Sequence, residues 1–349
     1  MEKIAIFGNT GFVGTWLSEY LLNSAEKINI FGYSLKPNTK PSIFKSLKQE
    51  KRISYQQYGN VLNEKKILDF IKYTKPNKII YLASQPIVKI GLKKPKENFL
   101  INNIGLINFF ESLRKSNLKY LKKVIIFTSD KVYENSDSNK RFIETDNLGG
   151  SDPYSASKAC QEIISTSYFN SFFKNKFEII TLRAGNIIGG GDWAENRIMP
   201  DLIRSLFHKE KLNIRNPKSV RPWQNIIDVC RAIDIILKNK INKKVIVSYN
   251  IGTLNNKKYK VNSLEKYFDS FFNIKSKRTD KTKKRTFSEK KFLSINSKKI
   301  FQDLNFKNIL TFESSNKLTC EWYRDYYNKK NMVETTNKQI SFYKSKLEN

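Results

Sequence analysis

The sequence predicts an α/β fold: a doubly wound parallel sheet with a smaller carboxyl-terminal α+β lobe. Three observations predict it. Short apolar runs ("KIAIFG", "INIFGY", "NKIIYL", "VIIF", "EIITL", "KVIVSYNI") recur from Lys3 to Ile251. They are continuous rather than alternating, as strands buried on both faces are. Longer segments with apolar residues at helical spacing ("TWLSEYLL", "EKKILDFI", "ENFLINNIGLINFFESLRKS", "NIIDVCRAIDIIL") separate them, and that alternation builds parallel sheets with helices on both faces. Finally, a glycine-rich turn follows the first strand and opens the first helix, where such sheets hold a dinucleotide. The expected plan is a nucleotide domain over residues 1–185, rejoined at about 222–250, a substrate lobe over 186–330, and a polar, solvated tail over 331–349.

Composition narrows the function classes. The 39% hydrophobic and 13% aromatic content is that of a folded protein. No apolar run approaches the length of a membrane span, and the chain opens on strand residues with no room for a secretory leader, so a soluble cytoplasmic protein is expected. Cys160, Cys230 and Cys320 are odd in number and lack a Cys-x-x-Cys spacing, which argues against disulfides or zinc. The single histidine, His208, reads as a solvated helix end. No histidine triad and no metal centre are expected. The net charge of +32 could mark a nucleic-acid or lipid surface. Its lysines, however, are scattered through every segment, with one dense run, "KSKRTDKTKKRTFSEKK". The charge is therefore read as solvated surface. It would still draw in an anionic substrate.

In chain order, the first strand leads into Gly8-Asn9-Thr10-Gly11-Phe12-Val13-Gly14. Gly8 permits a tight turn, Gly11 lets a pyrophosphate approach the backbone, and Gly14 lets the helix pack on the strand. The second strand ends at Ser34 and Lys36, without the carboxylate that usually meets an adenosine ribose, so that position leaves NAD and NADP both open. Asn60 and Val61 follow the third strand. The fourth ends at Leu82-Ala83-Ser84-Gln85, beside the expected nicotinamide and substrate, and Asn102 is the candidate polar contact on an otherwise apolar helix.

The richest stretch runs from Phe127 to Lys158. Ser129-Asp130-Lys131 emerges at the carboxyl end of the fifth strand, where open parallel sheets place ligands. A helix starting near Pro153 puts Tyr154 and Lys158 on one face, one turn apart. A lysine there favours the phenolate, making Tyr154 a usable base for a sugar hydroxyl. The pair alone is weak: with 17 Tyr in a lysine-rich chain, roughly two such spacings arise by chance, and Tyr326/Lys330 is another. Its weight comes from the Ser-Asp-Lys strand end and the nucleotide loop around it. Further on, Asn186, Arg197, Arg215 and Arg221 lie at strand ends or turns, as donors to a diphosphate would, although each arginine alone reads equally as surface charge.

The segments "GNTGFVGTWLS", "LASQPIV", "TSDKVYEN", "LGGSDPYSASKA", "RAGNIIGGGDWAENRIMPD" and "IRNPKSVRPWQ" resemble the nucleotide-sugar enzymes of the extended short-chain dehydrogenase/reductase superfamily, and among them the CDP-glucose 4,6-dehydratases. The resemblance runs from Met1 to about Tyr327. It implies a Rossmann-type fold, bound NAD held by the residues named above, CDP-glucose as substrate, and a homodimer or higher homo-oligomer. It also implies a redox-neutral cycle. Tyr154 with Lys158 would deprotonate the carbon 4 hydroxyl, Ser129 would bond its oxygen, Lys131 would take the carbon 5 hydrogen directly or by relay, and Asp130 would protonate the departing carbon 6 hydroxyl. Asn9, Val13 and Asn60 stand where the family usually has His, Lys and Asp, departures that bear on how tightly the cofactor is held. A 4-epimerase has no need of the Asp130-Lys131 pair. A silent cofactor-binding or nucleic-acid-binding protein would not need Ser129, Asp130, Lys131, Tyr154 and Lys158 together.

Overall fold

The protein's computed structural model describes every residue except 138, 211, 213, 215, 253–257, 275–289 and 349. The strands in chain order are β1 (Glu2–Phe7), β2 (Ile28–Ser34), β3 (Tyr55–Tyr58), β4 (Lys78–Tyr81), β5 (Lys123–Phe127), β6 (Glu178–Ala184), the short β7 (Ile187–Ile188), β8 (Val220–Arg221) and β9 (Gln224–Asn225), then β10 (Val247–Ile251) and β11 (Tyr259–Lys260). Seven of them make one parallel sheet in the order β10-β6-β5-β4-β1-β2-β3. The order reverses between β1 and β4, and the crevice at the carboxyl ends of those strands is where such sheets bind ligands. This is the Rossmann-type α/β fold that the sequence predicts.

Why these runs become central strands is visible in their packing. Successive residues of a strand point to opposite faces. Ile4, Ile6, Ile80, Ile125 and Ile180 accordingly join one apolar core, while Ala5, Phe7, Ile79, Tyr81, Val124, Ile126 and Ile179 join the other. At the amino-terminal ends of the same strands, Glu2 pairs with Lys78, and Lys123 pairs with Glu178 at 3.0 Å. The chemistry-bearing residues lie at the opposite edge.

Around the sheet, the helix expected over 97–116 is present but interrupted. It runs as Pro95–Phe99, a π-helical turn at Leu100–Ile104, and Gly105–Arg114. Beside the sheet lie the helices Ile198–Phe207, Val261–Phe271 and Phe312–Tyr327 with the ladders β7/β9 and β8/β11. His208 caps the first of these helices at the surface and bonds the Tyr327 hydroxyl at 2.7 Å.

One expectation fails. The stretch read as a solvated tail is a helix, Met332–Glu348. Its Met332, Thr336, Gln339, Ile340 and Tyr343 are buried. Gln339 Nε2 donates to Leu318 O, Tyr343 OH to Asp228 Oδ1, and Asn23 Nδ2, at the carboxyl-terminal cap of the first helix, to Asn337 Oδ1. Much of the dense lysine run falls on 275–289, outside the described residues. Among the described residues, no helix is long and apolar enough to cross a membrane, and no cluster of potential metal ligands occurs.

Candidate active site

The glycine loop is shaped for a dinucleotide. Gly8 has φ +89°, and a Cβ there would sit 3.0 Å from the Ala83 backbone nitrogen, so only glycine is comfortable. A Cβ on Gly14 would lie 2.4 Å from Gly8 O and 2.6 Å from Asn9 Cα, which fixes how closely the helix Phe12–Leu22 approaches the strand. Gly11 is different. A Cβ there meets only Gly8 O, at 3.3 Å, and otherwise faces open space. The helix starts with no side-chain cap and no acidic residue in its first turn, so its amino-terminal N–H groups are available to an anion. Asn9 is fully buried: its Nδ2 donates to Gln56 Oε1 at 2.6 Å, and its Oδ1 has no partner among the described residues. These features fit a dinucleotide.

The other expected cofactor contacts divide into two groups. Ser34 ends β2, with its hydroxyl 2.7 Å from that of Thr10, and Lys36 lies over the Tyr58 ring. Leu82 and Ala83 leave β4 directly against Gly8. Phe12 and Val13 pack on the core. Asn60 and Val61 serve the loop itself: Asn60 O accepts from Tyr33 OH, Asn60 Oδ1 accepts from Leu62 N, and Val61 fills the space above Gly105. Ser84 stands half-buried in the loop after β4.

Gln85 and Asn102 form a clip. Asn102 Oδ1 accepts from Gln85 N at 2.7 Å, and its Nδ2 donates to Gln85 O at 3.3 Å and Ser157 Oγ at 2.8 Å. The Gln85 side chain is spent on the backbone of Ile87 and on Asn98. In the same π-helical turn, Asn102 O accepts from Gln161 Nε2 at 2.7 Å. The turn thus ties the fourth strand's loop to the helix that carries Tyr154 and Lys158.

That helix, Pro153–Tyr168, starts for local reasons. Asp152 caps it, accepting from Tyr154 N at 3.0 Å and Ser155 N at 3.1 Å, and Pro153 occupies the first helical position. Opposite it, Ser129 caps the short 3-10 turn Asp130–Val132, its Oγ accepting from Lys131 N and donating to Asp130 Oδ1.

Burial governs the electrostatics here. Asp130 is 3% exposed, with Oδ2 unpartnered among the described residues. Burial pushes its carboxyl up to about 6, against the pull of Lys131, Ser129 and Arg221. Burial lowers the Lys158 ammonium to about 7, with Glu162 opposing; its Nζ donates to Phe127 O at 3.2 Å and Gln161 Oε1 at 3.0 Å. Tyr154 is pushed up to about 12, again by burial, while Ser129 and Arg197 pull it down. This corrects the expectation that Lys158 depresses the Tyr154 pKa. The lysine is held by two neutral acceptors, and the groups that favour the phenolate are Ser129 and Arg197.

The family model for GDP-mannose 4,6 dehydratase matches residues 5–319. The chain belongs to this family. It is 34% identical over 233 residues to the CDP-glucose 4,6-dehydratase of Salmonella typhimurium, a match covering 65% of this chain and 64% of that relative. It is 32% identical over 271 residues to the dTDP-D-glucose 4,6-dehydratase of Dictyostelium discoideum, covering 72% of this chain and 58% of the relative. The chain therefore spans less than two thirds of either relative's length. Among solved structures, dTDP-glucose 4,6-dehydratase from Bacillus anthracis has a TM-score of 0.77 at 22% identity, over 95% of this chain and all of that one. UDP-glucose 4-epimerase from Bifidobacterium longum reaches 0.81 at 19% identity, over 94% of this chain and 99% of that one. These two share the fold.

In this member of the GDP-mannose 4,6 dehydratase family, a cavity of about 470 Å³ opens beside the Ser-Asp-Lys turn, lined by Lys131, Gly149, Gly150, Asp152, Arg221 and Lys290. Arg221 is 7% exposed on β8, close enough to lower the Asp130 pKa. Arg197 precedes the helix Ile198–Phe207 and pairs with Asp192 at 3.3 Å. Asn186 contributes a backbone oxygen to Gln224 N. Arg215 lies outside the described residues. Gln161 and Glu162 went unread in the sequence, though Glu162 stands four residues after Lys158 and so on its helix face.

Proposed function

We propose that this chain is a nucleotide-sugar 4,6-dehydratase that uses NAD and converts CDP-glucose to CDP-4-dehydro-6-deoxyglucose. The observation that carries it is Asp130: a buried carboxyl raised to about 6, with an oxygen unpartnered among the described residues, near enough to Lys131 and Tyr154 to interact with both. A simple oxidation or epimerisation at carbon 4 has no use for that group, whereas expulsion of a hydroxyl needs an acid. The Salmonella relative, named for CDP-glucose, supports the base assignment.

The residues divide the work. Tyr154 accepts the proton of the carbon 4 hydroxyl, Ser129 hydrogen-bonds that oxygen, and Arg197 stabilises the phenolate. Lys158, titrating near 7, passes a proton on at neutral pH. Lys131 takes the hydrogen of carbon 5, made acidic by the neighbouring ketone, directly or as a relay. Asp130 then protonates the hydroxyl leaving carbon 6, and water departs. The loop of Gly8, Gly11 and Gly14 would hold NAD, which would supply reversible hydride chemistry between carbons 4 and 6, and the proton taken by Lys131 would go back to carbon 5. Arg221 and Lys290 face the cavity with the charge a diphosphate needs.

On this proposal the enzyme works in the cytoplasm, supplying a deoxysugar for lipopolysaccharide O-antigen. It pairs with a second copy through the exposed Phe99, Leu100 and Ile104 and the neighbouring Ile163. The test is incubation with CDP-, dTDP-, UDP- and GDP-glucose, scoring the 4-keto-6-deoxy product by mass. CDP-glucose should lead clearly. Equal turnover of dTDP-glucose sinks the CDP assignment alone, and steady build-up of NADH sinks the dehydratase cycle.

A further inference from the structure

Beneath the active site lies an ion pair that none of these roles uses. Glu162 and Arg183 have side chains only 4% and 5% exposed and meet as a fork, Arg183 Nη2 to Glu162 Oε2 at 2.9 Å and Nε to Oε1 at 3.1 Å. Glu162 also accepts from Thr128 Oγ1 at 2.6 Å and Thr181 Oγ1 at 2.7 Å. Arg183 Nη1 donates to Tyr133 OH at 3.0 Å and Glu144 O at 2.9 Å, and Nη2 also reaches Ser248 Oγ at 3.2 Å. The guanidinium lies over the Tyr133 ring, 5.0 Å from its centroid. Tyr133 OH in turn donates to Asn250 Oδ1 at 2.6 Å, and Asn250 is fully buried.

The positions of these partners matter more than their number. Thr128 immediately precedes Ser129, and Tyr133 stands two residues after Lys131. The turn bearing Ser129, Asp130 and Lys131 is thus gripped on both sides by the same ion pair. Glu162 itself belongs to the helix that carries Tyr154 and Lys158, one turn beyond the lysine. Arg183 sits on β6 and Asn250 on β10, so the grip is anchored to two strands of the sheet. A buried pair satisfied this fully holds its geometry rigidly, although hydrophobic replacements are often as stabilising.

We infer that Glu162, Arg183 and Tyr133 are positioning residues that set the distance between the Tyr154/Lys158 helix and the Ser129-Asp130-Lys131 turn, and thereby couple carbon 4 oxidation to elimination. The inference rests on the proposed dehydratase reading. If the grip loosens, oxidation at carbon 4 still proceeds while elimination and hydride return lag. Reduced cofactor and 4-keto glucose nucleotide then accumulate in equal amounts, which keeps the electrons in balance.

The molecule supplies its own control. Lys123 and Glu178 form another buried ion pair, this one between β5 and β6 at the opposite edge of the sheet. Three variants suffice. Tyr133→Phe removes one hydroxyl and keeps the ring. Arg183→Lys keeps the charge and loses the fork. Glu178→Gln weakens the control pair. Each is measured for thermal midpoint, kcat and KM, reduced cofactor remaining per turnover, and amide hydrogen exchange over residues 128–134. For Tyr133→Phe and Arg183→Lys, kcat should fall by about 10- to 100-fold, as small misplacements of reacting groups cause. KM should hardly change, reduced cofactor should accumulate, and exchange over 128–134 should quicken. Glu178→Gln, at a comparable loss of midpoint, should keep kcat and leave that segment's exchange unchanged. The same kinetic loss in Glu178→Gln, or unchanged exchange and kcat in the other two, overturns the inference. If the unmodified protein turns over no nucleotide glucose, the dehydratase reading fails, and the exchange comparison alone then decides whether the grip exists.

Discussion

Replacing Asp130 by Asn should make the protein more stable while disabling it. The carboxyl has an ordinary pKa of 3.8 and stands at about 6 in the folded protein. A pKa raised by folding means that the folded state holds the proton more tightly than the unfolded one. The resulting stabilisation is complete below 3.8 and is lost as pH climbs through about 6. Above that window the ionised carboxylate stays buried at a cost of about 3 kcal/mol, which already counts the attraction of Lys131 and Arg221. An amide has nearly the same shape and never ionises. Asp130→Asn should therefore exceed the parent by up to about 3 kcal/mol at alkaline pH, with the gap closing toward about pH 4. Elimination, deprived of its acid, should slow by about 100- to 10,000-fold. The assay is urea unfolding of both proteins across pH, with turnover measured in parallel. A variant that is less stable at alkaline pH, or a gap indifferent to pH, would refute the burial argument.

Four further outcomes are expected. Lys131→Met should still oxidise carbon 4 but fail to eliminate, so a single turnover in deuterated water should show persistent NADH and little deuterium at carbon 5. Tyr154→Phe should form no NADH. Full product at the unmodified rate from Lys131→Met would remove Lys131 from the mechanism. Gly14→Ala drives a methyl to 2.4 Å from Gly8 O, so calorimetry should show NAD affinity at least about tenfold weaker, ~1.4 kcal/mol; unchanged affinity would mean that the loop yields freely. Truncation after Asn331 uncovers Trp322, whose indole bonds Thr336, and removes buried Ile340 and Tyr343. At about 1.5–3 kcal/mol per large buried side chain, the thermal midpoint should drop by several degrees, whereas a solvated tail would leave it unmoved.

The sheet was legible because its strands are buried on both faces. A run such as "VIIF" has no polar face to hide its identity. The Tyr154 and Lys158 spacing, the Asp152-Pro153 start and the glycine loop are local devices, and each formed as the residues suggest. What could not be read was set by distant partners. The Tyr154 and Lys158 pKa shifts follow first from burial, which no spacing rule on the helix reveals. The pair Glu162 and Arg183 needs two strands and a helix to meet. Met332–Glu348 was missed because its inward face mixes Thr336 and Gln339 with Ile340 and Tyr343, diluting the apolar period.

The turn after β7 gives the protein a built-in optical reporter. The Trp16 indole donates to Gly190 O at 2.8 Å, and any Cβ on Gly190 would collide with the Trp322 ring at 2.0 Å. Trp193 leaves the same turn and lies 6.4 Å from Trp322, ring to ring. Three of the chain's four tryptophans thus crowd one turn beside the sheet. The fourth, Trp223, follows the Pro222 that abuts Gly185 near Asp130. All four are at most 7% exposed. Ultraviolet emission from the unlabelled protein is therefore a gauge of the packing at that turn, and any ligand or substitution that disturbs it will register in its colour and intensity.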